Sequence, residues 1–312
     1  WNIIFGPPGT GKTTYGMAFV KDLLAKNTDP SSIGYIAFTR KASNEARTRA
    51  QDQFSLEADD LPFFRTIHSL CFRQLGIRPA ALMQKQHWIE LGEILGIEVT
   101  GMGSMNDEAY AMSMPMGDRL FFLDNLARIT RSSLRDVFEK TVDDDVSYDQ
   151  LVIASNALLE FKTKHKLLDF TDILDQWIIK GTTPKLEALF VDEAQDLSKM
   201  QWEVVHKLAK DIPLKYAAGD DDQAIYRWAG AAVEEFINLT GTKQVLSHSY
   251  RLPKAVHSIA NDILHSIGHR QEKEFTHNGN EGYVDYHYSV DDLDLSEGSW
   301  LLLARNKYFL KD

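Results

Sequence analysis

The chain has 312 residues, 44% hydrophobic and 25% charged, the composition of a globular protein with apolar material for more than one core. No stretch approaches the roughly 20 apolar residues of a membrane-spanning helix, and no basic leader precedes an apolar segment, so no membrane partner is expected. One cysteine, Cys71, excludes an internal disulfide and points to a reducing, cytoplasmic setting, while a net charge of −11 argues against coating nucleic acid by bulk charge and leaves room for a local basic groove.

Residues 1–50 carry seven Lys/Arg against three acids, and runs such as Asp143-Asp144-Asp145 and Asp291-Asp292 hold much of the negative charge. The first residue is Trp1 rather than methionine, which reads as a piece of a longer protein. WNIIF is a short apolar run ending at glycine and reads as a buried strand. A helical pattern follows from Lys12 to about Lys26 and ends in a turn-forming run from Asn27 to Ser31. Gly34–Phe38 reads as a second strand and Lys41 to about Gln53 as a basic helix. Between about Leu75 and His165 strand runs vanish and methionines cluster (Met102, Met105, Met112, Met114, Met116). Helices are expected there over Gln84–Leu95, Asp118–Ile129 and Asp149–Lys164, a helical insertion with the methionines as flexible filler. Apolar strands return at Ala188–Val191 and Leu214–Asp220. Beyond Thr242 come a strand near Val245, a helix over Pro253–Ile267, and strands YVDYHY and WLLLA. Strands alternating with helices predict an α/β fold with a parallel sheet, in which ligands gather at the carboxyl ends of the strands.

Gly6–Thr13 reads GPPGTGKT, a phosphate-binding loop placed between a strand and a helix. Its glycines Gly6, Gly9 and Gly11 let the backbone wrap around phosphates, and the expected cradle runs on through Pro7, Pro8, Thr10, Lys12, Thr13 and Thr14. Lys12 supplies a charge to the β/γ-phosphates, and the Thr13 hydroxyl is suited to Mg2+. In VDEAQD, Asp192 at the end of an apolar strand is the second expected Mg2+ partner, and Glu193 is placed to deprotonate the attacking water. These motifs indicate a Mg2+-dependent nucleoside triphosphatase. They leave open what the energy is used for.

The segment GDDDQAIYRWAG, Gly219–Gly230, sets three carboxylates beside a glutamine and two aromatic residues. With IAFTRKASNEARTR, TIHSLCFRQL, DFTDIL, VDEAQDLSKMQ and SYRLP it follows the phosphate loop in an order that resembles the UvrD/Rep-type superfamily 1 DNA helicases over nearly the whole chain. The resemblance implies two RecA-like domains with ATP between them and single-stranded DNA across the top. Domain one would comprise 1–78 and 166–241, the inserted helical subdomain 79–165, and the start of domain two 242–312. By motif position the resemblance makes Gln223 the γ-phosphate sensor, Arg251 an arginine reaching that phosphate from the second domain, and Tyr250 a residue near the adenine. It makes Phe38, Tyr226 and Trp228 base-contacting residues, and sets Thr66 and His68 against the strand backbone. Aromatic faces accept any base, as a motor moving along every sequence requires. The three acids are expected at the polar end of a strand beside the Mg2+ site, not on a DNA surface.

Two departures stand out. Ala229 follows Trp228 where the family often has arginine, with Arg227 on the other side. The adenine-reading glutamine motif and the late arginine motif of the family have no counterpart here. The activity implied is ATP-driven 3′→5′ translocation and unwinding, with repair, replication or nuclease proteins as possible partners. The alternative is an NTP-dependent switch or scaffold that does not unwind, which would be indifferent to DNA.

Overall fold

The computed structural model describes residues 1–101, 114–141, 145–304 and 310. Met102, Met105, Met112, Asp143, Asp144 and the last residues of SWLLLARNK lie outside them. Strands β1 (Asn2–Phe5), β2 (Ile33–Ala37), β3 (Phe64–Arg65), β4 (Ala188–Asp192), β5 (Leu214–Gly219) and β6 (Thr242–Val245) form one sheet in the order β3-β2-β4-β5-β1-β6. Every adjacent pair is parallel. All carboxyl ends therefore open on a single edge, and the loops after them meet there.

Along the chain the helices are α1 (Lys12–Ala25), α2 (Arg40–Phe54), α3 (Ile67–Gln74), α4 (Lys85–Leu95), α5 (Met116–Thr130), α6 (Leu134–Lys140), α7 (Tyr148–His165), α8 (Phe170–Lys180), α9 (Lys199–Ala209), α10 (Val233–Ile237) and α11 (Lys254–Leu264). The apolar strand runs feed both faces because side chains alternate along a strand. Ile4, Tyr35, Ala188, Phe190 and Ala218 pack with Met17, Val20 and Leu23 of α1 and Ala46 and Ala50 of α2. Their neighbours Ile3, Phe5, Ile36, Leu189, Val191 and Ala217 face α3, α8, α9 and α10, around Trp177 and Trp202. Helices α4 to α7 build a separate core from residues such as Leu91, Leu120, Leu123, Leu151 and Leu158. Met114 is buried and Met116 packs at the margin of that core, in keeping with a filling role.

The helices read from the sequence lie within one or two residues of their expected ends in most cases, and several starts carry a side-chain cap. Thr39, Ser147 and Ser198, for example, accept hydrogen bonds from the backbone amides of Ala42, Gln150 and Gln201. Three features differ from expectation. Strand β3 is two residues long and shows no periodicity to read. Strand β6, expected to open the last segment, pairs with β1 and closes the main sheet. Segments 283–288 and 300–304, expected as strands, form none. Tyr283, Tyr286 and Tyr288 are exposed, and with no neighbouring strand among the described residues these segments have no ladder to join.

The DFTDIL motif fastens α5 and α7 to α8, which packs against the sheet. Asp169 caps α8 through the amide of Asp172, and both carboxylates reach out of their helix. Lys162 of α7 lies 2.6 Å from Asp169 and 2.7 Å from Asp172. Arg128 of α5 binds Asp169 at 2.6 Å, also pairs with Asp172, and lies 3.6 Å from Asp124. Lys162 and Asp169 are buried, so both charges depend on the network they share with Arg128 and Asp172. Burial opposes the Asp169 charge most strongly, but Arg128 and Lys162 outweigh it and hold the carboxyl well below its usual range. We expect Lys162→Met to lower the unfolding free energy by about 1–3 kcal/mol, the cost of lost hydrogen bonds to buried carboxylates that Arg128 still neutralises, measured by urea titration. A depressed folded pKa contributes stability that is complete above the unfolded value of about 4 and fades as pH falls through the folded one. The stability gap between wild type and Asp169→Asn should therefore narrow as pH is lowered below about 4.

Candidate nucleotide and DNA site

The phosphate loop leaves β1 beside the end of β5, where the Gly6 amide donates to the Gly219 carbonyl at 2.9 Å. Thr10 is buried and closes the turn, its backbone amide and hydroxyl both donating to the Pro7 carbonyl, at 3.2 and 2.8 Å. Lys12 folds back so that Nζ donates to the Gly6 carbonyl at 3.0 Å. A Cβ on Gly6 would lie 2.3 Å from Lys12 Cγ, so only glycine admits this path. Gly9 has φ +72°, and a Cβ there would lie 2.3 Å from Arg251 Cβ. The close neighbour is the SYR segment: Ser249 is fully buried, its hydroxyl donates to the Pro8 carbonyl at 2.7 Å, and the Tyr250 amide donates to the Gly9 carbonyl at 2.9 Å. Tyr250 is 74% exposed, with its ring edge-on to His248. Arg251 is exposed, and its guanidinium has no carboxylate partner among the described residues. Thr13 is half-buried and Thr14 exposed in the first turn of α1.

Asp192 continues the alternation of Ala188 and Phe190, which turns it towards the α1 face and the phosphate loop. It is buried and accepts a hydrogen bond from the Tyr35 hydroxyl at 2.8 Å. Burial, with the neighbouring Glu193 charge, pushes Asp192 up to about 6 against the opposing pull of Tyr35 and Lys12. Glu193 has φ +51°, a left-handed conformation that costs a side-chain-bearing residue about 1–3 kcal/mol and tends to occur at functional sites. Its carboxylate lies 4.0 Å from Lys12 Nζ. Burial and Glu193 also push Asp196 up to about 7, and its Oδ1 is a buried acceptor with no partner among the described residues. Asp192, Glu193 and Asp196 thus share more negative charge than Lys12 balances, a setting that favours a bound cation. No group of three or more His, Cys, Asp or Glu among the described residues forms a metal cage. Mg2+ is commonly held by one or two protein oxygens together with phosphates and water.

Gln195, unremarked in the sequence beyond its place in the motif, ties this edge together. Its Nε2 donates to Glu193 at 2.9 Å and Asp196 at 3.2 Å, and its Oε1 accepts from the Asp220 amide at 3.0 Å. Gln223 sits at the end of a short turn after β5, its amide donating to Asp220. The acids lie at the polar end of β5 as expected. Asp220 and Asp221 are buried, with counter-charges from Arg270 and Lys273 that no local pattern announces.

The aromatic residues extend from the same edge. Phe38, just after β2, lies 5.6 Å from the Tyr226 ring, both half-buried. Trp228 is half-buried and 6.3 Å from Phe122 of α5, so it stands at the seam with the insertion. Arg227 pairs with Glu234 on the surface. Thr66 is buried, its hydroxyl capping α3 by accepting from the Ser69 amide at 3.3 Å. His68 meets Phe170 edge-on at 6.0 Å. Burial first, then Arg40, pulls its pKa down to about 4, so it is a neutral imidazole near pH 7. Phe170 is 52% exposed and adds an aromatic surface the sequence reading passed over. Its place directly after the capping Asp169, outside the apolar repeat of α8, was the available signal.

The family match covers the phosphate loop and both acidic turns and ends before Tyr250 and Arg251. The model of the UvrD/REP helicase N-terminal domain matches residues 2–244. A probable DNA helicase of Mycoplasma pneumoniae is 28% identical over an alignment covering 100% of this chain and 62% of its own length. The ATP-dependent DNA helicase PcrA of Bacillus subtilis is 25% identical, covering 96% of this chain and 42% of its own, and the Staphylococcus aureus PcrA is 24% identical over 95% and 42%. The chain therefore spans between about two fifths and three fifths of these relatives. Among the described residues no helix is long and apolar enough to cross a membrane. With a matching family model over most of its length and the expected parallel α/β sheet, the chain belongs to the UvrD/REP helicase N-terminal domain family.

Proposed function

We propose that this chain is the nucleotide-hydrolysing and strand-gripping part of an ATP-dependent DNA helicase that moves along single-stranded DNA, 3′→5′ by its resemblance to the family. The observation that carries the reading is the meeting of Lys12, Asp192, Glu193 and Gln223 on the carboxyl edge from which Phe38, Tyr226 and Trp228 extend.

In this reading the loop from Gly6 to Thr14 holds the triphosphate through Lys12 and its backbone amides. Thr13 and Asp192 would hold Mg2+, which when bound neutralises charge on the β- and γ-phosphates. Tyr35 fixes the Asp192 carboxylate from behind. Glu193 accepts the proton of the attacking water, with its left-handed backbone and the Gln195 amide setting its direction. Gln223 reads the γ-phosphate, and the unpaired Arg251 stabilises charge on it. Tyr250, exposed beside the loop, is placed to cover the adenine. On the DNA side, Phe38, Tyr226 and Trp228 offer faces to bases. Thr66 acts through the geometry of α3, and neutral His68 offers a hydrogen bond, not a charge, to the strand backbone.

Lys12→Ala is expected to abolish ATP turnover by weakening phosphate binding, whereas Glu193→Gln keeps ATP affinity and loses hydrolysis. A fluorescent ATP analogue and a phosphate-release assay separate the two, and equal loss of affinity in both variants contradicts the assigned roles. Single-stranded DNA should stimulate turnover, and indifference to DNA would favour a switch over a motor. Trp228→Ala should weaken binding of a labelled oligonucleotide by about 1–3 kcal/mol with little base preference. Unchanged binding by a folded Trp228→Ala protein would make this residue part of the seam with α5 alone.

A further inference from the structure

Three adjacent carboxylates at the end of β5 need counter-charge, because isolated buried ions cost several kcal/mol each. It comes from 52 residues further along the chain. Lys273, whose side chain is 0% exposed, lies 3.1 Å from Asp220 and 2.8 Å from Asp222, and pairs with Asp221 as well. Arg270 grips Asp222 with two parallel bonds, Nε to Oδ1 at 2.7 Å and Nη2 to Oδ2 at 2.8 Å. The Gln271 amide donates to Asp221 at 2.7 Å. Burial opposes the Lys273 charge most strongly, yet the three acids outweigh it and hold the ammonium above the usual lysine value.

This cluster reaches the nucleotide edge at both ends. At one end the Asp220 carboxylate is divided between Lys273 on Oδ1 and the Gln223 amide on Oδ2. At the other, Thr276 exchanges backbone hydrogen bonds with Ser247 and Ser249, each at 2.8 Å, and the Ser249 hydroxyl holds the Pro8 carbonyl of the phosphate loop. Residues 270–276 thus form a strap running from the phosphate loop's neighbour to the turn that carries Gln223.

We propose that Lys273 and Arg270 are positioning residues that act through Asp220 and Asp222 to fix the side chain of Gln223 for its work on the nucleotide. The proposal rests on the reading of Gln223 as phosphate sensor given above. A bidentate pair and a buried ammonium restrict the carboxylates to one orientation. Asp220 then offers a single oxygen to Gln223. Removing the cations leaves that oxygen unfixed, and the glutamine loses its orientation without losing any contact of its own to nucleotide.

The test compares Gln223→Ala, Arg270→Gln, Lys273→Met, Lys273→Arg and the double variant Gln223→Ala/Arg270→Gln. The readouts are DNA-stimulated phosphate release and the affinity and stoichiometry of a fluorescent ATP analogue. Arg270→Gln and Lys273→Met are expected to lower kcat by roughly 10–100-fold, the scale of losing an outer partner that orients a functional side chain, with KM and analogue stoichiometry unchanged and Lys273→Arg partly restored. The double variant should be no slower than Gln223→Ala, because residues acting as a unit are not additive. Should Lys273→Met fail to fold, Arg270→Gln carries the comparison, since Asp222 keeps Lys273. Full turnover in Arg270→Gln beside a crippled Gln223→Ala overturns the strap's role alone, as do additive losses in the double variant. Full turnover in Gln223→Ala removes the sensor reading and the strap's role with it.

Discussion

The parallel register of β1 between β5 and β6 is the constraint on which the site depends. Ile4 pairs with Ala218 and with Gln244, so three chain segments far apart in sequence end level with one another. The ladder continues past the strand ends: Gly6 donates to Gly219, and Leu246 donates to Phe5 at 2.8 Å. The phosphate loop, the Asp220 turn and the SYR segment are thereby brought within hydrogen-bonding distance before any of their side chains is considered. A one-residue slip would send Ile3, Ile4 and Phe5 to the wrong faces of a sheet buried on both sides, so the register resists change.

Within that frame the electrostatics favour an incoming cation and polyanion together. Asp192 and Asp196 are each buried within reach of the Glu193 charge, and among the described residues Lys12 is the ammonium that offsets them. Lys12 in turn rests on the Gly6 carbonyl, a neutral partner that phosphate oxygens readily outcompete. The acids of the next turn differ sharply. Asp220, Asp221 and Asp222 are matched by Arg270 and Lys273 and have little charge to offer a metal. Two acidic runs at adjacent strand ends thus do different work: the first is left short of counter-charge at the nucleotide edge, and the second holds the chain together.

Local chemistry explains what was legible in the sequence. The phosphate loop needs only Gly6, Gly9, Gly11 and Lys12 at fixed spacing, and Asp192 is marked by the apolar strand before it. Helices announce themselves through capping residues such as Thr39 and Ser147, whose partners lie three positions away. Partners distant in sequence leave no such trace. Tyr35 reads as another core residue of β2 until its hydroxyl is found on Asp192, 157 positions away. Arg270 and Lys273 read as surface charges after a helix. β3 shows no alternation because two residues cannot. The expected strands at 283–288 and 300–304 have suitable composition, but pairing is a property of two segments, and among the described residues no partner strand stands beside them.

Under the proposed function, coupling between nucleotide and DNA would have a short physical route. Gln223 and Tyr226 lie in one turn of chain, where the Ile225 amide donates to the Gln223 carbonyl at 2.8 Å and the Ala229 amide donates to the Tyr226 carbonyl at 3.0 Å. A reorientation of Gln223 is therefore opposed or passed on by a backbone with few free torsions before it reaches the Tyr226 and Phe38 rings. Beyond them Gly230 fits against Ile129 and Leu126 of α5, with Trp228 against Phe122 on the same helix. That helix is anchored to α8 by Arg128 and to the sheet domain by Arg131, which binds Asp175 at 2.8 Å and Glu203 at 2.6 Å. A displacement of the turn must then either carry the aromatic rings with it or break contacts with a helix held by two arginines. The first costs less, because the rings are half-exposed and the arginine pairs are multiple. The geometry thus directs motion at the phosphate end towards the aromatic residues and away from the insertion.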